Sequence, residues 1–162
     1  MLFSTSDMVE FTKPEAYIRQ IVAYLTNKNF KEAYKLSKEF LSTSKETMIS
    51  HYFVARSAFK LKKYDEAKKE ARIAFNLSKG KRDMIVCANL FASICYKSRE
   101  YQEGVDFLSK MANYKNTEIQ ALLFLFSIKL KDKESAVEYM ENLYSLDKKR
   151  AHDLVLRLFE DS

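Results

Sequence analysis

Side chains that could carry out acid–base, nucleophilic or metal chemistry are few and scattered in this sequence. The two histidines, His51 and His152, are about a hundred residues apart, and no histidines and cysteines have the spacing of a zinc site. No glycine-rich phosphate loop is present. Neighbouring carboxylates such as Glu66 and Glu70 have the spacing of one helix face beside lysines, which is typical of a solvated surface. We therefore predict that the chain is not an enzyme and uses no metal or cofactor.

The polar and thiol groups that remain have a structural interpretation. His51 is followed by two aromatic residues, which indicates an interior histidine with satisfied hydrogen bonds. Cys87 and Cys95 are eight residues apart, which on one helix is a rise of about 12 Å and beyond the reach of a disulfide. We expect both cysteines to be small core residues in a reducing compartment.

Composition predicts that long helices position these side chains. The chain has 162 residues, of which 47% are apolar, but only two glycines and one proline. Sheets with tight hairpins need more turn residues than that. The longest apolar stretch, residues 119–130, is too short to span a bilayer and indicates a buried core helix. The first residues lack the pattern of a secretory signal, so we expect an intracellular, cytoplasmic protein, with the nucleus left open.

A five-residue pattern recurs along the chain. It consists of a polar residue, an aromatic, two polar residues ending in glutamate, and a small residue, and it occupies residues 29–33, 63–67 and 100–104. The small residues Ala33, Ala67 and Gly104 are separated by 34 and 37 residues, and a degenerate copy ends at Ala136. A small residue at this position lets two paired helices approach closely, and an acidic residue favours the start of the second helix.

The period and the small residue at the helix crossing resemble the tetratricopeptide repeat. The resemblance implies an all-α, right-handed α-solenoid of antiparallel helix pairs with a C-terminal capping helix. It implies one domain over residues 1–162, with repeats at about 14–47, 48–82, 84–116 and 117–147, and the capping helix at about 148–160. The chain departs from the family pattern because it has no tryptophan, no closing proline and no glycine between the paired helices.

Capping residues and the last apolar stripe agree with these boundaries. Residues 12–15 and 43–46 have the pattern of capping boxes, and Asp83, Asn116 and Asp147 are candidate N-caps. The final segment has one apolar face that would cover the open end of the stack. Alternatively, this face docks onto a partner or a second copy. Its members are Ala151, Leu154, Val155, Leu158 and Phe159. The apolar residues within 1–11 would cover the first repeat or swap onto another chain.

The resemblance implies that the first helix of each pair lines a partner-binding groove. The matching positions are mostly apolar and aromatic, which suits a bound helix or an extended peptide. They are Ile18, Val22, Tyr52, Arg56, Phe59, Asn89, Ser93, Tyr96 and Leu125. The alternative is that much of this stripe is covered within the chain, especially Leu125 and Ile128 under the terminal helix.

Three functions fit these features. The leading hypothesis is a protein–protein interaction scaffold or adaptor that binds a protein or peptide. The second is a homodimer within a larger assembly, since the N-terminal repeats of the scaffold subunits of the anaphase-promoting complex, a ubiquitin ligase, are similar.

The carboxylate clamp of heat-shock co-chaperones is not expected. Its matching positions are Ile18, Val22, Phe53, Val86 and Leu90, whose side chains cannot donate hydrogen bonds.

The third hypothesis, a nucleic-acid-associated basic helical protein, rests on a basic block. Residues 60–82 contain nine Lys or Arg and three Asp or Glu, an excess equal to the net charge of +6. The block is either a solvated outer face or a docking patch for an acidic protein or nucleic acid. Nucleic-acid binders usually have aromatic residues among the basic ones, and here Tyr64 and Phe75 are better explained as core residues, so a nucleic-acid partner is not expected. A membrane is not expected either, because the longest apolar stretch is too short to span one. The patch comprises Lys62, Lys63, Lys68, Lys69, Arg72, Lys79, Lys81 and Arg82.

Overall fold

Helices make up almost all of the structure, which is a computed structural model that describes residues 13–160. Within that range there are nine α-helices, no β-strand, and a 3₁₀ turn at Ser109–Met111 that follows the sixth helix. The predicted all-α class is therefore confirmed. The helices are α1 Pro14–Thr26, α2 Phe30–Thr43, α3 Met48–Lys60, α4 Tyr64–Leu77, α5 Lys81–Lys97, α6 Tyr101–Leu108, α7 Thr117–Lys129, α8 Lys133–Leu146 and α9 Lys148–Glu160.

The two helices of each pair are joined by the same three-residue turn in all four pairs. The middle residue of the turn has φ between 58° and 64° in each case. The N–H of the following residue donates to the carbonyl five positions back, at 2.8–2.9 Å, which closes a Schellman motif. The middle residues are Lys28, Lys62, Arg99 and Lys131.

These turns explain how the chain forms helix pairs without the expected glycine. A side chain in the left-handed conformation costs roughly 1 kcal/mol relative to glycine. A basic side chain at this place partly offsets that cost, because it lies beside the negative end of the first helix's dipole. The glycine that the family pattern places here is thus replaced by lysine or arginine.

Helix caps are partly where the sequence predicted them. Asn116 and Asp147 cap α7 and α9, accepting from backbone N–H groups at 3.1 and 3.0 Å. The box predicted at residues 43–46 is wrong, because the reciprocal pair is formed by Thr47 and Ser50. Asp83 does not cap α5, since that helix already begins at Lys81 and Asp83 lies within its first turn. The predicted box at residues 12–15 begins at Thr12, which lies outside the described residues.

The contacts divide the chain into two compact units, with the boundary after Cys87 inside α5. In the first unit, α1, α2 and α3 meet at a buried cluster of Tyr17, Ile21, Phe40 and Phe53. The rings of Tyr17 and Phe40 stack with centroids 5.2 Å apart. The division leaves the single-domain boundaries over residues 1–162 a prediction.

The small residues of the repeated pattern are buried as predicted. Ala33 and Ala67 are completely buried in the first unit. In the second unit Gly104 is buried on α6, and the ring of Phe126 on α7 lies directly over it. A residue with any side chain would have to push this ring away, so the close packing of α6 and α7 depends on glycine.

The last helix covers apolar residues of the second unit. Ala151 and Leu154 of α9 are buried in one cluster with Phe124 of α7 and Leu143 of α8. Val155 is partly buried, and Leu158 packs against the cluster. The side chain of Phe159 and residues 1–12 lie outside the described part of the chain. The last helix therefore covers this cluster with Ala151, Leu154 and Leu158, as predicted.

The two cysteines are buried, and the apolar stretch forms a core helix, as the sequence predicted. Cys87 and Cys95 are buried and form no disulfide with each other. Burial raises the pKa of the Cys87 thiol above its ordinary value.

The stretch at residues 119–130 forms most of α7, which buries Ile119, Leu123 and Phe126. Across residues 13–160, none of the helices has the length and apolar character needed to traverse a bilayer.

Candidate partner-binding surface

The first unit exposes an apolar face on the first helices of its two pairs. Ile18 and Val22 lie one turn apart on α1, and Tyr52, Arg56 and Phe59 follow one face of α3. Ile18 and Tyr52 both pack against the cluster that joins α1, α2 and α3. We call these five residues the α1–α3 surface.

Helix periodicity explains why α1 presents this surface. Tyr17 and Ile21 are four residues apart and are turned into the core, with 4% and 0% of their surface exposed. Ile18 and Val22 follow them by one position, so they lie at the edge of the buried face. Val22 keeps 46% of its surface exposed, which is high for a branched apolar side chain beside an aromatic cluster.

The α3 half of the surface combines aromatic rings with one cation. Tyr52 and Phe59 are partly buried, and their rings lie 6.2 Å from those of Phe53 and Tyr64, respectively. Arg56 lies between them in sequence and is exposed. The arrangement can bury apolar atoms of a ligand and can pair with one carboxylate.

The predicted groove residues of the second unit pack against other residues of that unit more than those of the first unit do. The ring of Tyr96 lies 5.8 Å from those of both Tyr101 and Phe126. Leu125 packs against the cluster that α9 completes. Ser93 is partly buried, and the side-chain oxygen of Asn89 is buried without a hydrogen-bond partner.

Leu125 is therefore partly covered within the chain, by a cluster to which α9 contributes Ala151 and Leu154. Ile128 is 40% exposed, so the alternative that the terminal helix covers the stripe does not hold for it. The assignment of all nine groove residues to partner binding remains a prediction.

The basic residues predicted as a patch lie in the first unit, on α4, on the turns at its two ends and on the first turn of α5. Seven of the eight are exposed, and Lys68 is partly buried. The Nζ atom of Lys63 lies over the ring of Tyr34, 5.4 Å from its centroid.

The carboxylates of α4 were predicted to be solvated, and this prediction was wrong for Glu66 and Glu70. Glu66 accepts hydrogen bonds from Tyr34 and, at 2.7 Å, from Lys38, both on α2. Glu70 contacts the buried His51 on α3, with 2.5 Å between Oε2 and Nδ1. Both acids thus make contacts with neighbouring helices, and their side chains are only partly exposed to water.

The partners of Glu66 change the proton affinities around it. Burial raises the pKa of Glu66, but the hydrogen bonds from Lys38 and Tyr34 outweigh it, so the pKa lies below its ordinary value. The hydrogen bond to Glu66 raises the pKa of both Tyr34 and Lys38. This network ties α2 to α4.

His51 is the one buried histidine, as predicted, but only one of its nitrogens is satisfied. Nδ1 contacts Glu70, whereas Nε2 has no hydrogen-bond partner and lies 3.5 Å from the carboxylate of Glu46. The side chain of His51 is 4% exposed, so a substrate could not reach the pair that it forms with Glu70.

No set of three or more His, Cys, Asp or Glu side chains within residues 13–160 could hold a metal ion.

Comparison with known proteins places the fold. The family model described as anaphase-promoting complex, cyclosome, subunit 3 matches residues 8–72. No curated protein matches the chain by sequence.

Solved structures agree with the family match on the type of fold. YrrB, a TPR protein with an unusual peptide-binding site, is 14% identical, with a TM-score of 0.74 over 92% of this chain and 75% of its own. PilF of Pseudomonas aeruginosa is 21% identical, with a TM-score of 0.71 over 90% of this chain and 69% of its own. MamA of Desulfovibrio magneticus RS-1 is 16% identical, with a TM-score of 0.71 over 90% and 93%. These likenesses identify the fold as a tetratricopeptide-like helical repeat.

Proposed function

We propose that this chain, a tetratricopeptide-like helical-repeat protein by fold, is a non-enzymatic interaction module that binds a peptide or helix of another protein on its α1–α3 surface. The repeat fold suggests a protein–protein interaction scaffold. The observation that supports this particular surface is the exposure of Val22 one helical turn from Ile18, which packs with Tyr52 against the same buried cluster.

The chemistry of the surface indicates what a partner segment must offer. Ile18, Val22, Tyr52 and Phe59 provide apolar area, which favours a segment with branched or aromatic side chains on one face. The exposed Arg56 favours a carboxylate at the edge of that segment. An amphipathic helix with one acidic residue beside its apolar stripe meets both conditions.

Replacing an exposed apolar residue and an exposed basic residue of the surface with glutamate tests the proposal with little risk to folding. Tyr52 and Phe59 pack within the unit, so truncating them would also destabilise it. Val22→Glu with Arg56→Glu changes only exposed positions. Peptides selected from a random phage-displayed library on the wild-type chain are the probe, and titration calorimetry measures their binding to each variant.

We expect the selected peptides to bind the double variant at least about tenfold more weakly, since a desolvated apolar contact and a charge pair are lost. The matched control is Val137→Glu with Arg157→Glu, which alters another exposed valine and another exposed arginine, on α8 and α9. The control should bind as the wild type does. Equal binding to the double variant and the wild type would show that partners use another surface.

A second candidate function is that of a homodimerising structural subunit of a larger assembly, such as a ubiquitin ligase. Its support is the family match to a subunit of the anaphase-promoting complex over residues 8–72, which include all of α1, α2 and α3. Sedimentation velocity over a wide concentration range tests it. A dimer that is lost in Val22→Glu with Arg56→Glu supports this function, and a monomer at every concentration excludes it.

The proposed compartment is the cytoplasm. Two buried cysteines that remain thiols suit reducing surroundings. Fractionation of cells that express the tagged chain tests this location, and recovery in the nuclear fraction would contradict it.

A further inference from the structure

The outer face of α4, the turns at its two ends and the start of α5 carry a second surface in the first unit. Lys62 precedes α4, Lys69 lies in its middle, Lys79 follows its end, and Arg82 lies in the first turn of α5. All four side chains are exposed. We call these four residues the basic α4 surface.

The neighbouring acids do not neutralise this surface. Glu66 is turned towards Lys38 and Tyr34 on α2, and Glu70 towards His51 on α3. The side chains of Glu66 and Glu70 are 27% and 12% exposed. Asp65 is the exposed acid on α4. The four exposed cations therefore outnumber the exposed acid on α4, so the surface keeps an excess of positive charge.

The direction of α4 fixes the shape of the surface. Ala67, Ala71 and Ala74 form a completely buried stripe, so Lys69 on the opposite face points outward. A 14-residue helix is about 21 Å long, so Lys62 and Lys79, which lie just beyond its two ends, are at least about that far apart. An extended polypeptide of about six residues spans that distance.

We propose that the basic α4 surface docks an extended acidic polypeptide segment, rich in Asp and Glu, of a partner protein. The basic α4 surface shares no residue with the α1–α3 surface and would take a different ligand, so the inference goes beyond the proposed function. Three of its four cations are lysines, which act as point charges and fit carboxylates at variable spacing.

The packing of the nearby aromatic rings within the unit favours an acidic polypeptide over nucleic acid as the ligand. Proteins that bind single strands place exposed aromatic rings among the cations to stack on bases. Here the ring of Tyr64 packs near Phe59. Lys38 and Lys63 lie over the ring of Tyr34, at 5.6 and 5.4 Å from its centroid. The rings closest to the surface are thus already engaged within the unit.

A binding assay with a matched charge control tests this assignment. The probes are a fluorescein-labelled oligoglutamate peptide and a labelled oligothymidylate of equal charge, measured by fluorescence anisotropy at several salt concentrations. The test variant is Lys62→Gln, Lys69→Gln, Lys79→Gln and Arg82→Gln. The control removes four exposed lysines elsewhere and gives the same net charge: Lys110→Gln, Lys115→Gln, Lys129→Gln and Lys133→Gln.

We expect the wild type to bind oligoglutamate more tightly than oligothymidylate, with affinity that falls as salt rises. The test variant should bind oligoglutamate about tenfold or more weakly, and the control less than about threefold more weakly. Equal loss in both variants would show that only net charge matters and would overturn the proposal. Tighter binding of oligothymidylate would also overturn it, because the surface would then serve nucleic acid. Circular dichroism checks that each variant is folded.

Discussion

Replacing Gly104 with alanine tests whether the ring of Phe126 sets the spacing between α6 and α7. A Cβ atom built at Gly104 would lie within 2.9 Å of three carbons of that ring. Real Cβ atoms do not approach side chains so closely. The ring cannot simply rotate away, because Phe126 is completely buried and the rings of Tyr96 and Tyr101 lie 5.8 and 6.4 Å from it.

Two opposing effects determine the size of the change. Alanine in a helix interior is favoured over glycine by about 1 kcal/mol. Forcing a methyl group into a packed core costs roughly 1–3 kcal/mol, and the contact with three ring carbons places this case towards the upper end. The free energy of unfolding should therefore fall by about 1–2 kcal/mol in Gly104→Ala. In a chain that already carries Phe126→Leu, the same change should raise it by up to about 1 kcal/mol.

A double-mutant cycle measures this coupling. Urea unfolding of the wild type, the two single variants and the double variant, followed by far-ultraviolet circular dichroism, gives four free energies. The reasoning predicts a coupling of about 2 kcal/mol or more between the two positions. If Gly104→Ala stabilises the wild type as much as it stabilises the Phe126→Leu chain, then the ring does not restrict the helix spacing and the packing argument is wrong.

Three further perturbations have defined outcomes. Lys62→Gly should raise the free energy of unfolding by up to about 1 kcal/mol, because its φ is 62°; a loss in urea unfolding would contradict this. Asn116→Ala should lower it by about 1 kcal/mol, since Asn116 accepts from the N–H of Ile119. The pKa of Glu66 is lowered below its ordinary 4.5, so its stabilisation is present above that pH and lost as the pH falls below it. Glu66→Gln should therefore show a smaller drop in melting temperature between pH 6 and pH 3, and an equal drop would refute the linkage.

Local signals in the sequence determined the repeat architecture. The positions of Ala33, Ala67 and Gly104 identified the helix pairs, and Asn116 and Asp147 were identified as caps. These predictions succeed because helix periodicity, capping and small residues at crossings act over a few residues of chain. The left-handed turns were missed, because lysine and arginine are not the residues that usually mark this conformation.

The candidate surfaces could be predicted only in part. The apolar stripe of Ile18 and Val22 follows from helical spacing, but the sequence did not show how far Leu125 is covered by α9. Coverage of a side chain depends on which helix packs above it, and that helix is distant along the chain.

The sequence alone determined the all-α class, the number of helix pairs and the excess of positive charge near α4. Only the tertiary structure decided which charges face solvent. Glu66 and Lys38 are 28 residues apart, and Glu70 and His51 are 19 apart, so no local pattern reveals these contacts. The physical reason is that a helix fixes the direction of each side chain about its own axis, whereas the neighbour in that direction is set by how the helices pack.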